Sequence, residues 1–362
     1  MTFKLETARG VRDIDPQEQL LREQILATLQ KQFQLFGFTP LETPIIERFD
    51  VLSAKFAAGE ESDAMSETYR LQDNGGRDLA LRFDLTVPLA RYVGMNRTMP
   101  FPFSRYQLGK VYRDAPVRKG RYREFTQCDA DVIGTDSLVA DATCIQLALA
   151  VYAQLGLDVV IRINNRKFLN ALLASYGVDA KKAPTVLTTI DKLDKIGKKG
   201  VLAELEEKNI AERENILADL TREGTTEEKL NYFLNKQCDG QGVDELKELF
   251  SYLPEEGVVF DPTIARGLGY YTGTVFEVMD ATGKLDSSIG AGGRYDNLID
   301  EYLQAANIKT NRTHPGVGIS FGLDRMVDVM KELKDIPERT TPTQVLLVPM
   351  QTTQLCMRLA NI

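Results

Sequence analysis

Residues 106–134, YQLGKVYRDAPVRKGRYREFTQCDADVIG, predict two strands joined by a basic loop. The first strand is PFSRYQLGKVYR, and its partner REFTQCDADVIG is reached across the glycine-containing DAPVRKGRY. Guanidinium groups held at strand ends suit a polyphosphate, because each can form two parallel hydrogen bonds to phosphate oxygens. A solvated basic hairpin would have the same composition, so this segment alone leaves both interpretations open. The basic side chains lie within eleven residues and are Arg113, Arg118, Lys119, Arg121 and Arg123.

Two patterned segments lie upstream of this pair. Residues 17–36 carry apolar side chains three and four positions apart, which predicts a helix with one buried stripe that ends at Gly37. The following GFTPLETPIIE is predicted to be extended, because its two prolines oppose a helix. Residues 67–92 alternate on both sides of NGG at 74–76, which predicts two short strands and a turn. The helical stripe consists of Leu21, Ile25, Leu29, Phe33 and Phe36.

Downstream of the basic pair, helical and strand patterns alternate. Residues 136–155 predict a helix capped by Thr135 or Asp136, and residues 166–250 predict a helical insertion rich in Lys, Glu, Leu and Ala. The β pattern returns at GVVFDPTIARGLGYYTGTVFEVMD, and GVGISFGLDRMVDVMKEL predicts a strand that leads into a helix. We therefore expect an α+β fold with a mixed, mainly antiparallel sheet, flanking helices and a helical insertion domain.

The composition sets broad limits on function. Hydrophobic residues make up 43% of the 362 residues and charged residues 27%, as in a soluble globular protein. We predict a cytoplasmic protein without a membrane span, because the N-terminus lacks the apolar centre of a signal peptide. The net charge of −8 gives no general support for nucleic-acid binding, although a local basic strip could still steer a polyanion.

Cysteine and histidine usage narrows the chemistry further. The four cysteines match no zinc spacing and are interpreted as free thiols. His314 is the one histidine of the sequence, which excludes a cluster of histidine metal ligands. Catalysis must therefore depend on carboxylates, arginines, amides and bound ions. The Pro-Gly-rich surroundings of His314 predict a surface position.

Three further segments carry candidate site residues. ARGLGYYTGTVFEV at 265–278 surrounds an arginine and two tyrosines with small residues, which indicates a tight pocket floor or an ordinary glycine-bearing strand. SIGAGGRYD at 288–296 is a glycine-rich loop by pattern and permits close backbone approach to a ligand, but it has neither the Walker A ending nor the dinucleotide spacing. GLDR at 322–325 places an arginine at the start of a helix and alone indicates only a surface arginine.

In this order, the segments resemble the class II aminoacyl-tRNA synthetases, and among them the histidyl enzymes. GFTPLETPIIERFDVL resembles motif 1, which forms the dimer in that family, and GVGISFGLDRM resembles motif 3. The basic strand pair at 106–134 resembles motif 2 of the archaeal and eukaryotic branch. ARGLGYYTG and GAGGRYD are similar to signatures of the histidyl enzymes and their paralogues, and INNRKFL and TIDKLDKIG resemble segments in or beside the insertion.

The resemblance implies a set of ATP-binding residues. Arg113 and Arg266 match two catalytic arginines that grip the α-phosphate from opposite sides. Phe125 matches the ring that stacks on adenine, and Arg325 lies against its other face and near the γ-phosphate. Arg121 and Arg123 match residues near the β- and γ-phosphates. Mg²⁺ would bridge the ATP phosphates, and no separate metal site in the protein is implied.

The resemblance also implies a histidine pocket. Asp84 and Thr86 match residues that hold the substrate ammonium, and Gln127 matches a residue at its carboxylate. Asp131 and Tyr271 match the groups that bind the imidazole, because a ring with one donor and one acceptor requires both partners. The other implied histidine contacts are Arg266, Tyr270 and Gly292.

The resemblance implies the reaction and its partners as well. Histidine and ATP would give histidyl-adenylate and pyrophosphate, followed by transfer to the acceptor end of tRNA(His) by a homodimer. Two positions depart from the family pattern: Asp114 and Ala115 replace the motif 2 glutamate near adenine, and Gly269 replaces an aspartate. A silent paralogue that senses histidine as the regulatory subunit of ATP phosphoribosyltransferase stays open as an alternative. So does a pseudo-synthetase domain of a kinase.

This interpretation divides the chain into five parts. Residues 1–165 and 251–334 form the two halves of a catalytic domain, and residues 166–250 form the insertion. Residues 335–342 are a linker, and residues 343–362 are interpreted as the stub of an α/β anticodon-binding domain, which leads us to expect C-terminal truncation.

Overall fold

The computed structural model describes residues 3–53, 66–117, 122–236, 240–265, 270–285 and 288–333. The predicted linker and anticodon-domain stub at 335–362 lie outside these residues, as do Cys238 and Cys356. The described strands are β1 (Thr39–Pro40), β2 (Ile46–Arg48), β3 (Arg70–Gln72), β4 (Asp78–Leu81), β5 (Phe103–Tyr112), β6 (Glu124–Ile133), β7 (Val159–Asn165), β8 (Val258–Phe260), β9 (Thr274–Asp280), β10 (Gly290–Arg294) and β11 (Gly316–Gly322).

Helices alternate with these strands. The described helices are α1 (Pro16–Leu35), α2 (Phe49–Ser53), α3 (Thr86–Met95), α4 (Leu138–Leu155), α5 (Arg166–Ser175), α6 (Ala183–Ile190), α7 (Leu193–Glu207), α8 (Arg213–Leu220), α9 (Thr226–Asn235), α10 (Gly240–Ser251), α11 (Leu298–Ala305) and α12 (Leu323–Leu333). All the described elements between β7 and β8 are helices, in agreement with the helical pattern at 166–250.

An eight-stranded sheet, in the order β1-β5-β6-β11-β10-β9-β7-β8, forms the centre of the fold. The β1–β5 and β7–β8 pairs are parallel and the others are antiparallel, which confirms the predicted mixed, mainly antiparallel sheet. The basic strand pair of the sequence forms β5 and β6, paired from Phe103 with Ile133 to Tyr112 with Glu124. A second, three-stranded sheet has the order β2-β4-β3.

Helices α1, α4 and α12 cover one face of the large sheet. Alternate residues of β6, such as Cys128 and Ala130, point into this layer and are fully buried. Helix α1 begins after Asp15, whose side chain accepts a hydrogen bond from the backbone N–H of Glu18. The predicted stripe from Leu21 to Phe33 is buried, whereas Phe36 follows the last helical residue and is only partly buried.

Asp324 joins three elements of this layer. Its carboxylate accepts from Arg22 Nη1 of α1 at 2.7 Å and from the backbone N–H of Thr126 in β6 at 2.9 Å. Because Asp324 is the second residue of α12, one buried side chain fixes the start of that helix against both α1 and the first half of β6.

Four sequence-based expectations were wrong in detail. Residues 86–95 form helix α3 instead of a strand, because the Asp84 side chain accepts from Val87 N at 2.9 Å and starts a helical turn. The cap of α4 is Ser137, whose hydroxyl accepts from Val139 N, and neither Thr135 nor Asp136. The glycine-rich segment at 290–294 is strand β10 and not a loop.

The fourth wrong expectation concerns His314. It is buried and not on the surface, with Nδ1 2.6 Å from Asp300 Oδ1 of α11. Its backbone N–H donates to the same carboxylate at 3.0 Å, and its ring meets the edge of Phe101. The bidentate contact with Asp300 explains why a polar ring is stable in this place.

Among the described residues, helix α4 is long and apolar enough to cross a membrane, by length and composition alone. However, 61% of its 18 residues are buried inside the protein, and Cys144 and Tyr152 among them are fully buried. This pattern is that of a core helix, and Cys128 and Cys144 are the free, buried thiols that the sequence suggested.

The buried ion pair between Arg294 and Asp141 ties β10 to α4. Arg294 Nε lies 3.1 Å from Asp141 Oδ2, and Nη1 and Nη2 donate to the carbonyl oxygens of Thr135 and Ser137 at 3.1 Å. Asp296 accepts a further bond from Nη1 at 3.1 Å. The guanidinium group thus holds both the loop before α4 and the first turn of that helix in place against β10.

We expect Arg294→Met to lower the free energy of unfolding by about 3–5 kcal/mol, because it leaves the fully buried Asp141 carboxylate without its cation. Denaturant titration of the variant would measure this loss. The double variant Arg294→Met/Asp141→Leu should recover a large part of the stability. A single variant as stable as the wild type would contradict this account.

Candidate functional site

The face of the large sheet opposite the helix layer is polar. On β6, Gln127, Asp129 and Asp131 alternate with the buried apolar residues and point to this face. The neighbouring strand β11 places Gly318 beside Asp131 and Ser320 beside Asp129. A polar surface bordered by small side chains therefore runs along both central strands.

Glycines on this face allow close approach of the polar groups. A Cβ atom at Gly318 would lie 2.1 Å from Asp131 Oδ1, and one at Gly293 would lie 2.7 Å from the ring of Tyr271. Neither distance is compatible with a side chain larger than hydrogen. On β10, Gly292 points to the opposite face, where a Cβ would meet the buried Phe276.

Asp131 is held by two buried partners that the sequence did not single out. Arg105 of β5 is fully buried, and its Nη2 lies 2.7 Å from Asp131 Oδ2 and donates to Leu85 O at 3.2 Å. The Tyr295 hydroxyl donates to Asp131 Oδ1. The register of β5 and β6 places Arg105 directly beside Asp131, a relationship that sequence spacing does not reveal.

Three carboxylates interact on this face. Burial raises the pKa of Asp131 and raises that of Asp129 to about 7, and Asp84 acts in the same direction on both. Arg105 opposes these shifts. A positively charged ligand would be favoured here because it would add a second counter-charge to the group.

Gln127 lies between this carboxylate group and the first residues of β6. Its Nε2 donates to Ser320 Oγ at 2.8 Å and lies 3.4 Å from Asp129 Oδ1. Its Oε1 is buried and has no hydrogen-bond partner among the residues that the structure describes. The amide therefore offers an acceptor to a ligand with N–H groups.

Tyr270 and Tyr271 border the carboxylate group on the β10 side. Their ring centroids are 4.7 Å apart, and the Tyr270 ring meets the edge of Tyr295 at 6.2 Å. Tyr271 is buried, whereas Tyr270 and Thr86 are partly buried. The structure thus brings Asp131, Tyr270 and Tyr271 to one place through Tyr295 and Gly293.

Arg113 lies at the end of the large sheet where β5 ends and β6 begins. Its guanidinium carbon is 4.2 Å from the ring centroid of Phe83 and 5.0 Å from that of Phe125. Its Nε donates to Phe83 O at 3.3 Å. Phe125 was predicted as a stacking ring for adenine, and in this structure that ring contacts Arg113.

The other predicted arginines differ in position. Arg325 is exposed in the first turn of α12, and its Nη1 donates to Ser288 O at 2.5 Å. The last residue of β11, Gly322, pairs with Gln127 near the start of β6. Arg325, three residues later, therefore follows the same end of the sheet at which Arg113 lies. Arg123 turns back to Asp114, with Nη2 2.8 Å from Oδ1. Arg121 and Arg266 lie outside the described residues.

We expect the pKa of Asp129 to make stability depend on pH. The folded-state pKa of about 7 lies above the ordinary value of 3.8, so the folded protein binds the proton more tightly than the unfolded chain. This stabilisation is complete below pH 4 and is lost as the pH rises through 7. Asp129→Asn should therefore remove a fall in the free energy of unfolding between pH 4 and 7.

The measurement is denaturant unfolding at several pH values, with Asp78→Asn, a substitution in the small sheet, as control. A wild-type curve that is parallel to that of Asp129→Asn throughout this range would count against a raised pKa.

Comparison with known proteins gives a consistent family assignment. A profile of the histidyl-tRNA synthetase family matches residues 10–326. "Histidine--tRNA ligase 1" of Bacillus cereus is 38% identical over 99% of this chain and 82% of that protein. The crystal structure of histidyl-tRNA synthetase from Nostoc sp. PCC 7120 has a TM-score of 0.85 and 31% identity, over 99% of this chain and 83% of that one.

A third comparison concerns the fold alone. The crystal structure described as an ATP phosphoribosyltransferase regulatory subunit/histidyl-tRNA synthetase from Bacillus halodurans has a TM-score of 0.76 at 23% identity. It covers 91% of this chain and 84% of its own. Because the family profile matches most of its length and a relative is 38% identical over 82% of that relative, this chain belongs to the histidyl-tRNA synthetase family.

Proposed function

We propose that this chain activates histidine with ATP and transfers the histidyl group to the 3′ end of tRNA(His). One observation carries the proposal. Phe125, the second residue of strand β6, contacts Arg113, and the same strand carries Gln127 and Asp131 on the polar face of the sheet. An aromatic ring and cations for a nucleotide therefore lie at one end of the polar face that also carries carboxylates for a small cationic amino acid.

The carboxylate group would hold histidine. Asp131 would accept a hydrogen bond from one imidazole nitrogen, in a position fixed by Arg105 and Tyr295. Tyr271, with Tyr270 beside it, would serve the other nitrogen. A ligand lacking either nitrogen would leave a buried polar group unpaired, so discrimination could be strong.

Asp84, Thr86 and Gln127 would bind the ammonium group. The resemblance places Gln127 at the substrate carboxylate, but the buried Oε1 is an acceptor and supports a contact with the ammonium instead. Gly292 points away from this face, so Gly293 is the better candidate for a glycine that lines the pocket.

The arginines would serve the reaction at phosphorus. A histidine carboxylate oxygen forms a bond to the α-phosphorus, the bond to the bridging β-phosphate oxygen breaks, and pyrophosphate leaves with that electron pair. Arg113 and Arg266 would stabilise the charge that builds on the α-phosphate oxygens. Arg121, Arg123 and Arg325 would contact the outer phosphates, and Mg²⁺ would supply charge neutralisation through the same phosphates. A ribose hydroxyl of the tRNA then attacks the carbonyl carbon and AMP leaves.

Other features of the assignment are part of the same proposal. We place the protein in the cytoplasm and keep residues 166–250 as an insertion domain within the catalytic domain. The resemblance of residues 106–134 to motif 2 of the archaeal and eukaryotic branch is kept as part of the proposal, although the relatives compared above are bacterial. A phylogeny of the family would test that placement.

We expect histidine-dependent exchange of pyrophosphate into ATP by the wild-type chain. Arg113→Ala and Arg266→Ala should each lower the exchange rate by about 100-fold or more, as the loss of a charge-stabilising group does in other enzymes. Arg97→Ala, at an exposed position on the loop after α3, is the matched control and should keep wild-type exchange. A folded wild-type protein without exchange would contradict the proposal. If it still bound histidine, the regulatory-subunit interpretation would replace it.

The resemblance of residues 37–52 to motif 1 also leads us to propose a homodimer. The small sheet supports this, because Ile46 and Leu71 on its strands are 51% and 40% exposed. Sedimentation equilibrium should give twice the mass of one chain, and Ile46→Glu should shift the equilibrium toward the monomer. Exposed Val139→Glu, far along the chain on α4, is the control. A wild-type monomer at micromolar concentration would refute the dimer.

A further inference from the structure

Strand β7 holds the segment at 261–265 through alternate side chains. Arg162 Nε lies 2.5 Å from Asp261 Oδ2, and its Nη2 donates to Thr263 Oγ1 at 3.1 Å. Asn164 Nδ2 donates to Pro262 O at 3.0 Å and to Ile264 O at 2.8 Å. Because residues two apart in a strand share a face, this side of β7 makes a regular series of contacts with the segment.

Arg166, the first residue of α5, adds contacts with the residues that precede and follow Tyr270 and Tyr271 in the chain. Arg166 Nη1 donates to Ala265 O at 3.1 Å, and its backbone N–H donates to Gly273 O at 2.7 Å. Residues 265 and 273 are therefore fixed by one residue. Tyr271 lies between them and packs against Gly293 on the polar face of the sheet.

Asn164 is well suited to this task. It is fully buried, and its Oδ1 accepts from Asn165 N at 2.8 Å while both donor bonds go to backbone carbonyls. An aspartate would lack the donors, and an apolar residue would leave two buried carbonyls unpaired. The side chain therefore determines where residues 262 and 264 lie.

Asn165, the next residue, is equally buried but acts on the other side of the strand. Its Oδ1 accepts from Lys167 N at 2.8 Å and caps α5, and its Nδ2 donates to Glu245 Oε2 of α10 at 2.8 Å. Two adjacent asparagines of equal burial thus hold different parts of the molecule, one toward Tyr271 and one toward the helices.

We propose that Asn164 and Arg166 are positioning residues for the histidine pocket, because their side chains hold the carbonyl groups of residues 262, 264 and 265. Ile264 packs in one cluster with Tyr271, so these contacts also set the place of that tyrosine. This inference rests on the proposed function for its substrate, histidine. The two side chains act through backbone carbonyls and touch no substrate. Their loss is expected to weaken histidine binding much more than ATP binding.

The test compares Asn164→Ala with Asn165→Ala. For Asn164→Ala we expect the histidine KM in pyrophosphate exchange, and the histidine Kd measured by calorimetry, to rise about tenfold or more, with the ATP KM within about threefold of wild type. For Asn165→Ala we expect both histidine values within about threefold, with a similar loss of thermal stability in the two variants. Equal effects of the two variants on the histidine constants would overturn the proposal, because a general loss of packing would then explain both.

A second pair keeps the test valid if Asn164→Ala does not fold. Arg166→Lys retains a donor near Ala265 O, whereas Arg166→Met removes it. We expect Arg166→Met to raise the histidine Kd about tenfold and Arg166→Lys to restore a large part of the affinity. Equal affinities of the two variants would refute a positioning role. Failure of the proposed function would be recognised separately, by wild-type protein that binds histidine without pyrophosphate exchange.

Discussion

The buried ion pair between Arg105 and Asp131 is the interaction on which the candidate site depends. Both residues are buried, so each charge is stabilised by contact with the other, and Asp131 also accepts a hydrogen bond from the Tyr295 hydroxyl. The pair also joins β5 to β6 and, through Leu85 O, to the start of α3. One guanidinium group therefore contacts both Asp131 and the backbone beside Asp84.

The arrangement along β6 separates two kinds of charge. Phe125, which contacts Arg113, and Asp131 are six residues apart, which corresponds to about 20 Å along an extended strand. On the polar face, Arg113 thus lies near the first residues of the strand, and the carboxylates of Asp129 and Asp131 lie near its last. The negative end of a ligand on this face would meet Arg113, and its positive end would meet the carboxylates.

The sequence predicted the parts of the fold that depend on local patterns. The β5–β6 pair, the helix with its stripe from Leu21 to Phe33 and the helices between 166 and 250 all follow from periodicity. Helix α3 did not, because a side-chain contact from Asp84 starts it within a segment that alternates like a strand. Burial of His314 depends on Asp300, a residue whose position comes from tertiary packing.

The candidate site was predictable to the extent that its residues lie in recognisable motifs. Asp131, Tyr271 and Arg113 stand in such motifs, and Asn164 stands in the family-like segment INNRKFL, but the resemblance gave neither Asn164 nor Arg105 a role. Their importance follows from register and from hydrogen bonds to distant backbone carbonyls. Neither can be derived from spacing along one chain, because a one-residue change of register would turn the same side chains to the opposite face.

Strand β10 has a consequence for attempts to redesign the pocket. Atoms of Tyr271 occupy the space above Gly293, and atoms of Phe276 occupy the space beneath Gly292. Both surfaces of the strand are therefore already filled, so new side chains introduced there would displace the scaffold. A larger amino acid, such as a ring-substituted analogue, would have to be accommodated by trimming the tyrosines, since the glycines have nothing left to remove.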